Sequence, residues 1–184
     1  YNAATGTWTI TVPAGQSYHG GPTIYPPHNS DHDLNLQVSA TVFDPDTGMT
    51  SAAQTDGFTV FNDAIADRPD VVATDMNVVG TTVIPLNIHV ALTDTDGSEV
   101  IKSISIGGVP PGMTLSAGTY DALSGKWFLT QDQLVDLKLF ATPNTIGSFD
   151  LTVTAVSKEE NLSGSEWYFA NNEASATDIL TITL

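Results

Sequence analysis

Leu34-Asn35-Leu36-Gln37-Val38-Ser39-Ala40-Thr41-Val42 alternates apolar and polar side chains with a period of two, and so does Leu151-Thr152-Val153-Thr154-Ala155. Successive side chains of a strand point to opposite faces, so runs of this kind bury one face and solvate the other. Trp8-Thr9-Ile10-Thr11-Val12 and the closing Ile179-Leu180-Thr181-Ile182-Thr183-Leu184 follow the same rule. Thr and Val dominate these runs, and Gly, Pro, Asn and Asp punctuate them, as strands and their turns require. Residues 130–137 alone read as helical, and only as one turn, with Thr130 as the cap and Gln133 three residues on. The fold class expected is all-β.

The chain also resembles itself. Tyr1-Asn2-Ala3-Ala4-Thr5-Gly6-Thr7-Trp8 lies over Tyr120-Asp121-Ala122-Leu123-Ser124-Gly125-Lys126-Trp127. Leu36-Gln37-Val38-Ser39-Ala40 lies over Leu151–Ala155 at a shorter offset, so the first copy carries extra residues, placed here within 16–27. Thr55-Asp56-Gly57-Phe58-Thr59-Val60 resembles Thr177-Asp178-Ile179-Leu180-Thr181-Ile182. Residues 71–119 have no counterpart in the first copy. The sequence therefore divides into the C-terminal part of one repeat (1–66), a short acidic linker stiffened by Pro69 (67–70), and one whole repeat (71–184). A repeat of this length, with turns every 8–12 residues, suits an immunoglobulin-like β-sandwich, giving tandem sandwich repeats of which the first is incomplete. Half a sandwich leaves an apolar face and an open edge, so the polypeptide is expected to extend N-terminally of Tyr1. The other reading is that 1–66 folds as a smaller sheet packed on the second repeat.

Composition narrows the function. Among 184 residues there are 5 Lys and Arg, 21 Asp and Glu and no Cys, and the formal net charge is −16. Without Cys there is no disulfide framework, thiolate zinc site, iron–sulfur cluster or thiol nucleophile. Acidity of this degree opposes nucleic acid, which is held by Lys and Arg, and anionic lipid surfaces. No apolar run is long enough to span a membrane, and no leader pattern opens the sequence. Apolar residues at 41% still suffice for a core. Carboxylates so little matched by bases call for another neutraliser, and hard divalent cations with oxygen ligands are the natural candidate.

Leu92-Thr93-Asp94-Thr95-Asp96-Gly97-Ser98-Glu99 is the strongest local signal. Asp94 and Asp96 alternate, Gly97 permits a sharp turn and Glu99 follows, a pattern that suits Ca²⁺ with its six to eight oxygen ligands. It is not an EF-hand, because the twelfth loop position, which needs a bidentate Glu, is Ser105. An ordinary Asp-rich turn would look similar. Asp67, Asp70 and Asp75 flank the joint, Glu159 and Glu160 end the run that begins near Leu151, and Asp44-Pro45-Asp46 occupies the matching place in the first copy. Loops at one end of a sandwich converge, so such distant carboxylates can share an ion, although each alone reads as a solvated charge. His28-Asn29-Ser30-Asp31-His32-Asp33 has the ligand types of a Zn²⁺ or Ni²⁺ site but no third His and no helix, which favours a solvated loop. His89 reads as the outer face of a strand. No nucleophile elbow, H-E-x-x-H or phosphate loop occurs, and nothing singles out a glycosidase pair among the many acids, so an enzyme is not expected. Trp8 and Trp127 read as core, whereas Trp167-Tyr168-Phe169 is either core or an exposed patch for a sugar or peptide ligand.

Leu92–Glu99, then Ile106-Gly-Gly-Val-Pro-Pro-Gly-Met-Thr-Leu-Ser-Ala-Gly118, then Gly125-Lys126-Trp127, then Leu151–Ala155 together resemble the tandem Ig-like, cadherin-like repeats of large bacterial RTX adhesins. The resemblance covers nearly all of 71–184, and 1–66 looks like the C-terminal part of the same repeat. It implies a secreted protein held at the bacterial cell surface, serving cell adhesion or biofilm formation. Its repeats would be extenders whose loops and joints bind calcium (Ca²⁺) and whose partners are neighbouring repeats of the same polypeptide. By this resemblance Asp94, Asp96 and Glu99 match the acidic motif directly, and Asp67, Asp70, Glu159 and Glu160 more loosely. The His- and Asp-rich 28–33 and the aromatic 166–172 depart from the pattern and could serve a ligand of their own.

Overall fold

The alternating runs form strands wherever a neighbouring strand exists to pair with them. The computed structural model describes residues 1–27, 30, 32–62, 65–95, 97–160 and 172–184. In chain order the strands are β1 (Leu34–Ala40), β2 (Phe43–Asp44), β3 (Met49–Thr50), β4 (Gln54–Val60), β5 (Asp70–Ala73), β6 (Met76–Asn77), β7 (Val83–Pro85) and β8 (Ile88–Ala91). They continue with β9 (Glu99–Gly107), β10 (Thr114–Leu115), β11 (Thr119–Asp121), β12 (Lys126–Leu129), β13 (Lys138–Phe140), β14 (Ser148–Glu159) and β15 (Glu173–Thr183). The protein is all-β. The expected helical turn is a 3₁₀ turn over Asp132–Leu134. Its N-cap is Gln131, not the expected Thr130, and no side chain caps it, although the Thr130 N–H donates to Gln133 Oε1 at 3.0 Å.

The second unit is built on a six-stranded sheet ordered β11-β12-β9-β14-β15-β6. A three-stranded sheet, β10-β13-β7, and the β5-β8 pair supply the opposing faces. One core cluster joins the layers, with Ile84, Val90 and Leu139 on one side and Ile104, Ile106, Leu151, Val153, Leu180 and Ile182 on the other. Leu129, Leu139, Leu151, Val153, Leu180 and Ile182 are buried, the last four on the alternating runs expected to form strands. Trp127 is only half-buried, because its ring leans on Tyr120 at 5.6 Å near the sheet's end and seals the cluster from outside. At Gly108 the backbone turns with φ +82°, and an added Cβ would collide with the Asp150 carbonyl oxygen. Gly108→Ala is therefore expected to cost at least about 1–2 kcal/mol for the left-handed backbone alone, read as a lowered midpoint in urea.

The first unit repeats the second in register. Leu34, Leu36 and Val38 of β1 face Val60, Phe58 and Asp56 of β4. Their counterparts Phe149, Leu151 and Val153 face Ile182, Leu180 and Asp178. Cross-strand side-chain bonds recur as well: Thr59 Oγ1 donates to Asn35 Oδ1 at 2.8 Å, as Thr181 Oγ1 does to Asp150 Oδ1 at 2.9 Å. The Asn2–Thr7 bridge matches the Asp121–Lys126 pair, and Tyr1 leans on Trp8 at 5.0 Å as Tyr120 does on Trp127.

Burial separates the two units. Among the described residues before Ala66 none is buried. Residues 8–12, expected as a strand, form none, and Trp8, expected in a core, is 60% exposed. The cause is shared: in the second unit the ladder beside Trp127 is provided by β9, and the first unit has no such strand among the described residues.

The turns share one chemistry. Asp121 accepts the Leu123 N–H and the Ser124 hydroxyl, and Asp44 accepts the Asp46 N–H and the Thr47 hydroxyl. These bonds, the hydroxyl first, hold both carboxyls below the usual Asp range. Each turn therefore contributes stability above the ordinary Asp pKa and loses it as pH falls through the lowered folded value. An NMR titration is expected to find both midpoints below the ordinary Asp value, and Ser124→Ala to return Asp121 toward the ordinary range.

Candidate metal centre at the joint

The inward face of β14 changes character along its length. Leu151, Val153 and Ala155 line the core, and the same alternation then buries Ser157 and Glu159. Glu159 is 3% exposed and sits directly opposite Glu99 of β9, which is 5% exposed. Asp94 and Ser98, from the turn between β8 and β9, are buried too. Five of the six buried polar residues in the described chain, Asp94, Ser98, Glu99, Ser157 and Glu159, thus belong to the turn before β9 or the paired ends of β9 and β14. A register shift between Val156 and Ser157 accompanies this change from apolar to polar.

The joint threads through the same end. The Asp67 N–H donates to Glu99 Oε1, and the Ser157 hydroxyl donates to the Asp67 carbonyl. Thr93 Oγ1 donates to the Arg68 carbonyl at 2.9 Å, and Arg68 Nε donates to the Ser175 carbonyl at 3.1 Å. Ala66 and Pro69 are buried. The linker is a fixed strap across the top of the second unit.

Like charges directly opposite on a ladder repel, and removing them from water raises the cost. Lys158 alternates onto the opposite face of β14, and Lys102 pairs with Glu173. The donor set is all oxygen and anionic, which suits a hard cation such as Ca²⁺ and not a metal that favours imidazole or thiolate.

The expected ligands fall into three groups. Glu99 and Glu159 are paired on the ladder, Asp67 reaches them through its backbone N–H and carbonyl and not its carboxylate, and Asp94 is buried in the adjoining turn. Asp70 is exposed on β5 opposite Ala91, and Glu160 is exposed, with its N–H donating to the Ser98 carbonyl at 2.9 Å. Asp96 lies outside the described residues, as do His28, Asp31 and the Trp167-Tyr168-Phe169 segment. Among the described residues no three His, Asp or Glu side chains converge closely enough to hold a metal by themselves. Asp44 is committed to its own turn, unlike Glu159 at the matching position. Ser157 was not anticipated as part of this end. Its signal was the period-two continuation of the Leu151 face. His89 is exposed on β8.

No family model matches the sequence, and no curated protein matches it. Among the described residues no helix is long and apolar enough to cross a membrane.

Proposed function

We propose that this chain is a calcium-stabilised structural module, an extender, of a bacterial surface adhesin. The observation that carries the reading is the buried Glu99–Glu159 pair with the inter-unit strap bonded onto it. A cation held there would neutralise two buried carboxylates and, in the same stroke, fix the direction in which one unit leaves the next. That is the property an extender needs. Glu99 and Glu159 would hold the ion with Asp94, and Asp96 is the further carboxylate of the same turn. The tandem register supports a serial architecture, and the resemblance to RTX adhesin repeats supplies the extracellular bacterial setting. There, millimolar calcium saturates even modest sites.

The competing account of the same pair is a shared proton. Calorimetric titration of Ca²⁺ into EDTA-stripped protein separates them. A binding heat that disappears in Glu159→Gln is expected. Absence of heat in the wild type, together with a melting temperature that rises steadily as pH falls, would assign the pair to a proton and overturn the calcium reading.

A further inference from the structure

In the second unit, β9 lies between β12 and β14, with Ile106 opposite Trp127 on one side and Val153 on the other. The first unit contains the counterparts of both neighbours, Trp8 and Val38, and no strand between them among the described residues. The consequence is plain in the exposures. Val38 is 56% exposed and Phe58 53%, while their counterparts Val153 and Leu180 are at 0%. β1 pairs with β4 along one edge, and its other edge offers a ladder to an incoming strand.

We propose that this edge and the apolar face beside it dock an upstream half-repeat, a polypeptide patterned like residues 71–119 of this chain. Its β9-like strand inserts antiparallel to β1, with an apolar side chain at the Ile106 register seated between Val38 and Trp8. The second unit displays this occupant on the matching surface. There, residues of 71–119 complete the core: Ile104 and Ile106 extend the sheet beside Leu151 and Val153, and Ile84 and Val90 from the opposing strands join the same cluster with Leu180 and Ile182. A polar contact is prepared as well. Asp178 accepts the Ile179 N–H with one oxygen and the Ala73 N–H of β5 with the other. Asp56 accepts the Gly57 N–H in the same way, which sets it to receive a β5-like strand. A second copy of this chain is the poorer occupant, because its own 71–119 segment is already buried in its own core. This docking follows from the repeat register and is independent of calcium.

The test uses the full chain in two arms. One carries a copy of residues 71–119 fused ahead of Tyr1. The other receives an excess of a synthetic peptide of residues 98–109. Amide exchange over 34–40 is expected to slow roughly tenfold or more in at least one arm, with a blue shift of the Trp8 emission that Trp8→Phe removes. Val38→Lys should abolish the protection while leaving the melting of the second unit unchanged. Unaltered exchange over 34–40 in both arms would overturn the proposal. So would protection already present in the unfused chain at twice the monomer mass, which would make a second copy the occupant.

Discussion

Removing calcium from the full chain is expected to lower the melting temperature of the second unit by about 10 °C. A ligand that binds only the folded state adds RT ln(1 + [L]/Kd), about 2.7 kcal/mol at a hundredfold excess over Kd. For a unit of this size each kcal/mol moves the melting temperature by roughly 4 °C. Glu159→Gln sharpens the test, because the two states respond with opposite sign. Without calcium the substitution removes one of two opposed, buried carboxylates, so the variant should melt above the stripped wild type. With calcium it removes a ligand, so the variant should melt below the saturated wild type. Scanning calorimetry in EDTA and in millimolar Ca²⁺, on wild type and variant, gives the four numbers. Curves that do not cross would mean that Glu159 is an ordinary buried acid, and the calcium reading of this end would fall.

Much of this arrangement could be read from the residues. The alternation of Leu34–Val42 and Leu151–Ala155 gave their strands and the faces they bury. The self-match placed Leu36 on Leu151 and Phe58 on Leu180, and the ladder pairs Leu36 with Phe58 as it pairs Leu151 with Leu180. Local pattern could not give the state of a strand whose partner is absent. Trp8–Val12 alternates as well as any run in the chain, yet a strand is a pairwise object, and among the described residues no β9-like neighbour pairs with it. Trp127 shows a related limit: period two says which face a ring occupies, not how near the sheet's end it lies. At the candidate centre, spacing pointed to Asp94 and Glu99. Pairing Glu99 with Glu159 required the register of β9 on β14, a long-range fact that follows from the whole topology.

Truncating the same repeat position in the two units is expected to give very different costs. Leu151 is fully buried, paired with Leu180 and covered by the opposing sheet layer. Leu151→Ala leaves a cavity that a close-packed sandwich cannot fill, and comparable core truncations cost roughly 2.7–5 kcal/mol. Leu36 holds the matching place in β1, paired with Phe58, but it is only half-buried and no second layer of strands among the described residues lies over it. Its side chain is partly removed from water but encloses no cavity when truncated, so Leu36→Ala should cost about 1 kcal/mol, well below the cost at Leu151. Denaturant titration of the two full-length variants, with circular dichroism and Trp fluorescence recorded together, reads both. A small effect at Leu151 would mean that the inward face of β14 has been assigned to the wrong side. A large effect at Leu36 in the unfused chain would mean that the first unit is already covered. If the upstream half-repeat docks as proposed, fusing it should move Leu36→Ala toward the cost of Leu151→Ala. The energetic weight of a leucine would then be set by a strand carried elsewhere in the polypeptide.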